Sequence, residues 1–131
     1  MTVQRRDHNG SPFGDWLRAQ AALDSRDGWL ASDLDMIWLN TATGEYMHLE
    51  TKCRMAVMKE WQRRLFRDLV RRPCLPDTRY RGFHLLQFEA TNPLDGATYI
   101  DGRRVTLREL LDFLAFSAPA DWYHNDYYLR Y

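Results

Sequence analysis

Hydrophobic and polar residues alternate from Glu45 to Lys52, with Met47 and Leu49 on one parity and His48 and Glu50 on the other. Successive side chains of a β-strand point to opposite faces, so this alternation predicts a half-buried strand. The preceding segment, WLASDLDMIWLN, is rich in strand-forming residues, and Thr41–Gly44 has the composition of a turn. We interpret the chain from Asp33 to Lys52 as a β-hairpin.

Three other segments have helical periodicity. The first runs from Pro12 to about Leu23 and is broken by Asp27 and Gly28. The second spans residues 53–72. It is predicted to end at Pro73 and Pro76 and to turn one apolar stripe toward the sheet, formed by Met58, Trp61, Leu65 and Leu69. The third opens with a capping-box pattern at Thr106 and is predicted to face a core with Leu107, Leu110, Leu111 and Leu114.

A further apolar strand is predicted from Arg81 to Ala90, followed by a loop at residues 92–96 and a short strand near residues 98–101. The element order is therefore helix, hairpin, helix, strand, short strand, helix. This order predicts an α/β fold in which a mixed sheet is flanked by helices and a helical crossover joins two strands. We expect a single domain over residues 1–131, with a loose N-terminal arm at 1–11 and an aromatic C-terminal tail at 117–131.

Composition excludes several classes of protein. No run approaches the ~20 apolar residues of a membrane span, and no signal peptide is evident, so we expect a cytoplasmic protein without membrane association. The formal net charge is zero, but residues 53–72 hold seven basic and two acidic side chains. A basic helix can hold a polyanion such as a nucleic acid. The candidate contacts are Arg54, Lys59, Arg63, Arg64 and Arg67.

The hairpin carries the most informative chemistry. If its turn is centred between Ala42 and Thr43, Asp35 lies opposite Glu50 and Asp33 lies opposite Lys52. Two opposed carboxylates repel each other, whereas a divalent cation between them is favourable, and oxygen ligands suit Mg²⁺ or Mn²⁺. A solvent-facing strand with scattered ion pairs remains the alternative interpretation. His48 shares the face of Glu50 and is an auxiliary candidate.

Asp35, the turn and the sequence Glu50-Thr51-Lys52 resemble the motif of the PD-(D/E)xK nuclease superfamily. Gln62, ten residues after Lys52, is similar to the glutamine of its VRR-type and Holliday-junction-resolvase-like members. The likeness covers roughly residues 12–116 and implies a restriction-endonuclease-like core of αβββαβ type. The chain differs from the motif in having Leu34 where a proline is usual.

The resemblance implies Mg²⁺- or Mn²⁺-dependent hydrolysis of phosphodiester bonds, with DNA the more expected substrate than RNA. Asp35, Glu50 and the main-chain carbonyl of Thr51 would bind the metal, and Lys52 would orient the attacking water. Gln62 would support the site from the helix, and Asp33 is a weaker candidate. Two other hypotheses stay open: a catalytically inactive module of this fold that binds nucleic acid or protein, and a homodimeric structural or regulatory protein.

Overall fold

The computed structural model describes residues 12–29, 32–125 and 127, which form two compact units, Met1–Asp33 and Leu34–Tyr131. The predicted N-terminal arm at 1–11 lies outside the described residues, as do residues 30–31 of the first predicted strand. Of the predicted aromatic tail, Tyr128 and Tyr131 also lie outside them.

In the first unit the predicted helix is shorter than expected. Helix α1 spans Pro12–Arg18 and is followed by two 3₁₀ turns, Ala21–Leu23 and Ser25–Asp27. The Asp24 carboxylate accepts a hydrogen bond from the main-chain N–H of Arg26 at 2.9 Å. Aspartate forms such turns readily because its short side chain competes with helical hydrogen bonds, so the chain turns here instead of continuing the helix.

The second unit contains a five-stranded mixed sheet with the strands in sequence order. Strands β2 and β3 are parallel, and every other neighbouring pair is antiparallel. This arrangement confirms the predicted mixed sheet with a helical crossover, although the fifth strand was not predicted. The strands are β1 Met36–Leu39, β2 Tyr46–Lys52, β3 Tyr80–Phe88, β4 Thr98–Ile100 and β5 Arg103–Val105.

Strand β1 is shorter than the predicted segment 29–40 and lies at the edge of the sheet. All four of its residues are exposed. The strand therefore gains no burial of apolar side chains that would favour its extension toward the N-terminus. The predicted turn is confirmed: the Gly44 N–H donates to the Asn40 carbonyl at 2.8 Å, and Gly44 adopts a φ of +79°. Glycine takes this left-handed conformation without steric cost.

The crossover from β2 to β3 is helical but begins seven residues later than predicted. Helix α2 spans Glu60–Leu65, a π-helical segment spans Phe66–Arg71, and α3 spans Arg72–Cys74. Arg54 and Met55 adopt positive φ values and turn the chain before the helix. Pro73 lies inside the last turn and does not end the helix, which is consistent with the wider hydrogen-bond spacing of the π segment, where the Arg72 N–H donates to the Arg67 carbonyl.

Each face of the sheet carries its own apolar cluster. The cluster on the crossover face consists of Met58, Phe66, Phe83 and Leu85, packed by Leu34, Leu65 and Val70. Leu69 was predicted to join it, but that side chain is 73% exposed. The π segment changes the angular spacing of successive side chains, and the helix contributes Phe66 and Val70 in its place.

The opposite face is covered by helices α4, Leu107–Leu114, and α5, Ala120–Tyr123. Leu110 and Phe113 are buried there, whereas Leu107 and Leu111 are half exposed, contrary to the prediction. The rest of this cluster consists of Met47, Leu49, Leu86, Phe88, Ile100, Val105 and Tyr123. None of the helices in the described ranges combines the length and apolar character that a membrane crossing requires.

Candidate functional site

The hairpin brings Asp35 beside the C-terminal half of β2. Strand pairing matches Met36 with Leu49 and Leu39 with Tyr46, which is the predicted register. Asp35 directly precedes β1, and its Oδ2 atom accepts hydrogen bonds from Thr51 N at 2.8 Å and Thr51 Oγ1 at 2.7 Å. Asp35 is therefore held against the Glu50-Thr51-Lys52 segment.

Asp33 is placed differently from the prediction. It is exposed and belongs to the N-terminal unit, and β1 begins three residues after it. Asp33 and Lys52 are therefore not paired as predicted, because the strand pairing between β1 and β2 begins at Met36.

Glu50 is the most buried acid of the site, with only 3% of its surface exposed. Its Oε1 atom lies 3.8 Å from Lys52 Nζ, and its Oε2 atom is buried without a hydrogen-bond partner among the described residues. Burial raises the pKa of Glu50 to about 7, and the negative charge of Asp35 adds to this effect. The positive charge of Lys52 and a hydrogen bond from the Asp35 main chain oppose it.

Lys52 is positioned from the crossover helix. Its Nζ atom donates to Gln62 Oε1 at 3.5 Å, and the same oxygen accepts the main-chain N–H of Lys59 at 3.1 Å. Gln62 is the third residue of α2, so its side chain caps the helix and reaches Lys52 at once. The sequence placed Gln62 near the start or middle of this helix, and in the structure its side chain contacts Lys52.

Gln87 is a residue of this site that the sequence interpretation missed. Strand pairing places it next to Lys52, and its buried amide donates to the Ala56 carbonyl at 3.0 Å. This hydrogen bond holds the turn after β2 against strand β3. A polar residue inside the apolar run from Phe83 to Phe88 was the available signal.

His48 is buried on the same face, but its hydrogen bond goes elsewhere. Its Nδ1 atom lies 2.7 Å from the Tyr80 hydroxyl, and burial lowers its pKa. The predicted auxiliary role at the Glu50 site therefore has no contact that supports it among the described residues.

The predicted nucleic-acid contacts differ in their electrostatic surroundings. Arg67 forms an ion pair with Asp68, with an Nε to Oδ1 distance of 2.9 Å, which compensates its charge. Arg63 is half-buried, and its Nε atom is buried without a hydrogen-bond partner in the described part of the chain. Arg54, Lys59 and Arg64 are exposed. Arg63 and the exposed residues are thus the stronger candidates for phosphate contacts.

A second buried polar cluster lies on the opposite face of the sheet and was not predicted. His84 is fully buried, with Nδ1 2.6 Å from Asp101 Oδ2 and Nε2 2.6 Å from the Arg81 carbonyl. Asp101 also accepts from the Leu85 N–H and the Asn125 amide. These bonds fasten the β4–β5 turn and α5 to β3, which indicates a structural role.

The donor set of the Glu50 site can be tested against a divalent cation. The described residues hold no group of three or more His, Cys, Asp or Glu side chains suited to a metal ion. Two carboxylates belong to this segment: Asp35 is held by Thr51, the neighbour of Glu50 in the chain, and the unpartnered Glu50 Oε2 is a hard oxygen ligand of the type that Mg²⁺ and Mn²⁺ accept. Mg²⁺ typically binds through one or two carboxylates and completes its shell with water and substrate oxygens, so the residues fit.

Comparison of the chain with protein-family models, with curated proteins and with solved structures returns no match.

Proposed function

We propose that the protein is a metal-dependent nuclease that hydrolyses phosphodiester bonds of DNA, with Mg²⁺ or Mn²⁺ held at Asp35 and Glu50. We also propose that its sheet and crossover belong to the restriction-endonuclease-like class. One observation carries the proposal: the carboxylate of Glu50 is buried, and its Oε2 atom has no partner among the described residues. A buried carboxylate oxygen without a hydrogen-bond partner is costly, so a site that retains one is a candidate for binding a cation.

The roles of the side chains follow from their contacts. Asp35 and Glu50 would hold the metal, with the Thr51 carbonyl as a third ligand, and Thr51 fixes the Asp35 carboxylate through two hydrogen bonds. When bound, the metal would lower the pKa of a water ligand and stabilise negative charge on the phosphate. Lys52, held between Glu50 and Gln62, would orient the attacking water.

The crossover segment would hold the substrate. Arg63 follows Gln62 directly, and its buried Nε atom has no partner in the described chain, so a phosphate oxygen could satisfy it. Arg54, Lys59 and Arg64 lie near Arg63 in the sequence and are exposed. Contacts to phosphate give affinity that falls as salt rises and carry no base specificity, so this surface supports nucleic-acid binding in general.

The test is cleavage of plasmid DNA by the purified protein with Mg²⁺ or Mn²⁺. Asp35→Asn, Glu50→Gln and Lys52→Met should each reduce the cleavage rate by about a hundredfold or more, because each removes a group that acts on the reacting phosphate. Glu60→Gln is the matched control, since Glu60 is an exposed carboxylate in the first turn of α2. That variant should cleave like the wild type.

Binding of Mn²⁺ gives a second measurement that does not depend on activity. Mn²⁺ should raise the melting temperature of the wild type clearly more than that of Glu50→Gln, because the variant replaces one of the two charged ligands with a neutral amide and binds the ion more weakly. The nuclease proposal fails if the wild type cuts neither duplex nor single-stranded DNA nor RNA with either metal. It also fails if the three site variants cut as fast as the control.

A second candidate function is a catalytically inactive module that binds nucleic acid. The observation that favours it is the pair of hydrogen bonds from Thr51 to Asp35 Oδ2, which already satisfies one oxygen of the proposed metal site. This candidate predicts salt-sensitive DNA binding that Arg63→Gln weakens, together with no cleavage under any metal condition.

A further inference from the structure

A cavity of about 220 Å³ opens at the end of the sheet remote from Lys52. Tyr80, which lines it, pairs with Tyr46 at the start of β2, whereas Lys52 ends that strand. Six residues of strand correspond to about 20 Å. The cavity is therefore distinct from the Glu50 site. Its walls include Arg71, Asp77, Thr78, Tyr80, Arg81 and His124.

Two of the charged groups in this wall are compensated by protein partners. The Arg81 guanidinium is paired with Glu45, with an Nη2 to Oε2 distance of 3.0 Å, and donates to the carbonyls of Thr78 and Tyr80. The Asp77 carboxylate is paired with Arg79 and also accepts the Tyr46 hydroxyl. Arg81 and Asp77 thus each have a protein partner of opposite charge.

Arg71 is different. Its side chain is half-buried, and its Nε atom is buried without a hydrogen-bond partner among the described residues. No ion pair joins it to an acid in the described ranges, although the neighbouring Arg72 is paired with Asp68 at 3.2 Å. The Nε–H of Arg71 is therefore a buried donor without a partner, next to a positive charge that no described acid pairs, and an anion in the cavity would satisfy both.

The guanidinium lies close to polar groups of the same wall. Arg71 and Tyr80 line the same cavity. Burial raises the pKa of the Tyr80 hydroxyl, and the positive charge of Arg71 opposes that rise. The hydroxyl-bearing residue Thr78 and the exposed residue His124 line the same space. The wall that contains Arg71 therefore also holds a hydroxyl and an imidazole that can donate hydrogen bonds.

We propose that this cavity binds a phosphoryl group, with Arg71 as its principal ligand. A guanidinium presents a rigid fork of donors that matches phosphate. The hydroxyl of Thr78, which lines the same cavity, can donate to one of the additional oxygens that a phosphate has and a carboxylate lacks. The cavity is smaller than the range of about 300–1,000 Å³ that is typical of sites for larger ligands, so it suits inorganic phosphate or the terminal phosphate of a longer molecule.

The test is calorimetric titration of the full-length protein with inorganic phosphate in metal-free buffer, so that the result does not depend on the nuclease proposal. Wild type should bind phosphate, and Arg71→Gln should bind it at least about tenfold more weakly, because a charge-assisted hydrogen bond is lost. Arg72→Gln is the matched control: it removes an exposed, ion-paired arginine next to Arg71 and should bind as the wild type does.

Three further measurements decide the proposal. In phosphate-free buffer Arg71→Gln should melt no lower than the wild type, since it removes an uncompensated charge, and this result excludes misfolding as the cause of weak binding. Acetate at equal ionic strength should bind more weakly than phosphate. A short oligonucleotide with a 5′-phosphate should compete with inorganic phosphate if the source is a nucleic-acid end, whereas the same oligonucleotide without it should not. Absence of phosphate binding, unchanged binding by Arg71→Gln, or equal binding of acetate would overturn the proposal.

Discussion

At the scale of single residues, Glu50 couples the stability of the fold to pH. Its carboxyl group is buried beside Asp35, which raises its pKa from the usual 4.5 to about 7. The unfolded chain releases this proton near pH 4.5, whereas the folded protein keeps it up to about pH 7. Folding therefore takes up a proton between these values, and a rise in pH through that window lowers the free energy of unfolding in the absence of metal.

Glu50→Gln should remove this dependence, because glutamine is uncharged in both states. Relative to the wild type, the free energy of unfolding of the variant should increase by about 3 kcal/mol as the pH rises from below 4.5 to above 7. Urea unfolding in a chelating buffer across this range measures it. Glu60→Gln, on the exposed face of α2, should show no such change. A Glu50→Gln difference that stays constant with pH would contradict the prediction.

The residues of the candidate site were predictable to different degrees. Asp35 and Glu50 could be paired from the sequence because the turn at Gly44 fixes the register of the hairpin. The sequence singles out Gln87 as a polar residue in an apolar run, but its place beside Lys52 and the contact of His48 with Tyr80 could not be foreseen, since both depend on which strand lies parallel to β2 and in which register. Local spacing determines a hairpin, but it does not determine a pairing across a crossover.

At the scale of secondary-structure elements, the same distinction explains the crossover helix. Its basic composition and its position between β2 and β3 were predicted correctly. Its start was not, because the left-handed conformations of Arg54 and Met55 are set by main-chain hydrogen bonds to Ala90 and Phe88 in a distant segment. The π segment then moved Leu69 to solvent, which a regular helical period cannot anticipate.

Helix α4 shows where a local signal does suffice. The Glu109 N–H donates to Thr106 Oγ1 at 3.1 Å, and the Thr106 N–H donates to the Glu109 carboxylate at 2.9 Å, as the capping-box pattern predicted. Thr106→Ala should lower the free energy of unfolding by about 1 kcal/mol, because main-chain donors at the helix start lose their partner. Chemical denaturation of the two proteins measures this loss.

Two comparisons make the capping prediction specific. Thr106→Ser keeps the hydroxyl and should retain most of the stability. Thr41→Ala, in the exposed turn of the hairpin, should have a much smaller effect. An equal loss for Thr41→Ala and Thr106→Ala would show that threonine removal in general, and not the cap, accounts for the change.

At the scale of the whole molecule, the alternation of side chains along β2 and β3 places an apolar cluster on one face of the sheet and the proposed catalytic residues on the other. Met47, Leu49 and Leu86 pack against α4 and α5 on one face. Glu50 and Lys52 occupy the other face, where the crossover helix supplies Gln62. The sequence predicted this division from the alternation of β2 alone. Which helix covers which face required the order of the strands, since a crossover fixes the side on which its helix packs.

This division makes the second unit a candidate for independent folding. Every residue of the two apolar clusters lies between Leu34 and Tyr123. A fragment of residues 34–131 contains both clusters and has about 100 residues, a usual size for a domain. It should unfold cooperatively in urea with a circular-dichroism spectrum that indicates both helix and strand, because no buried apolar contact within the clusters is removed. The fragment 34–105 is the control, since it lacks Leu110, Phe113 and Tyr123 and should not fold. Non-cooperative unfolding of the longer fragment would mean that residues before Leu34 stabilise the sheet.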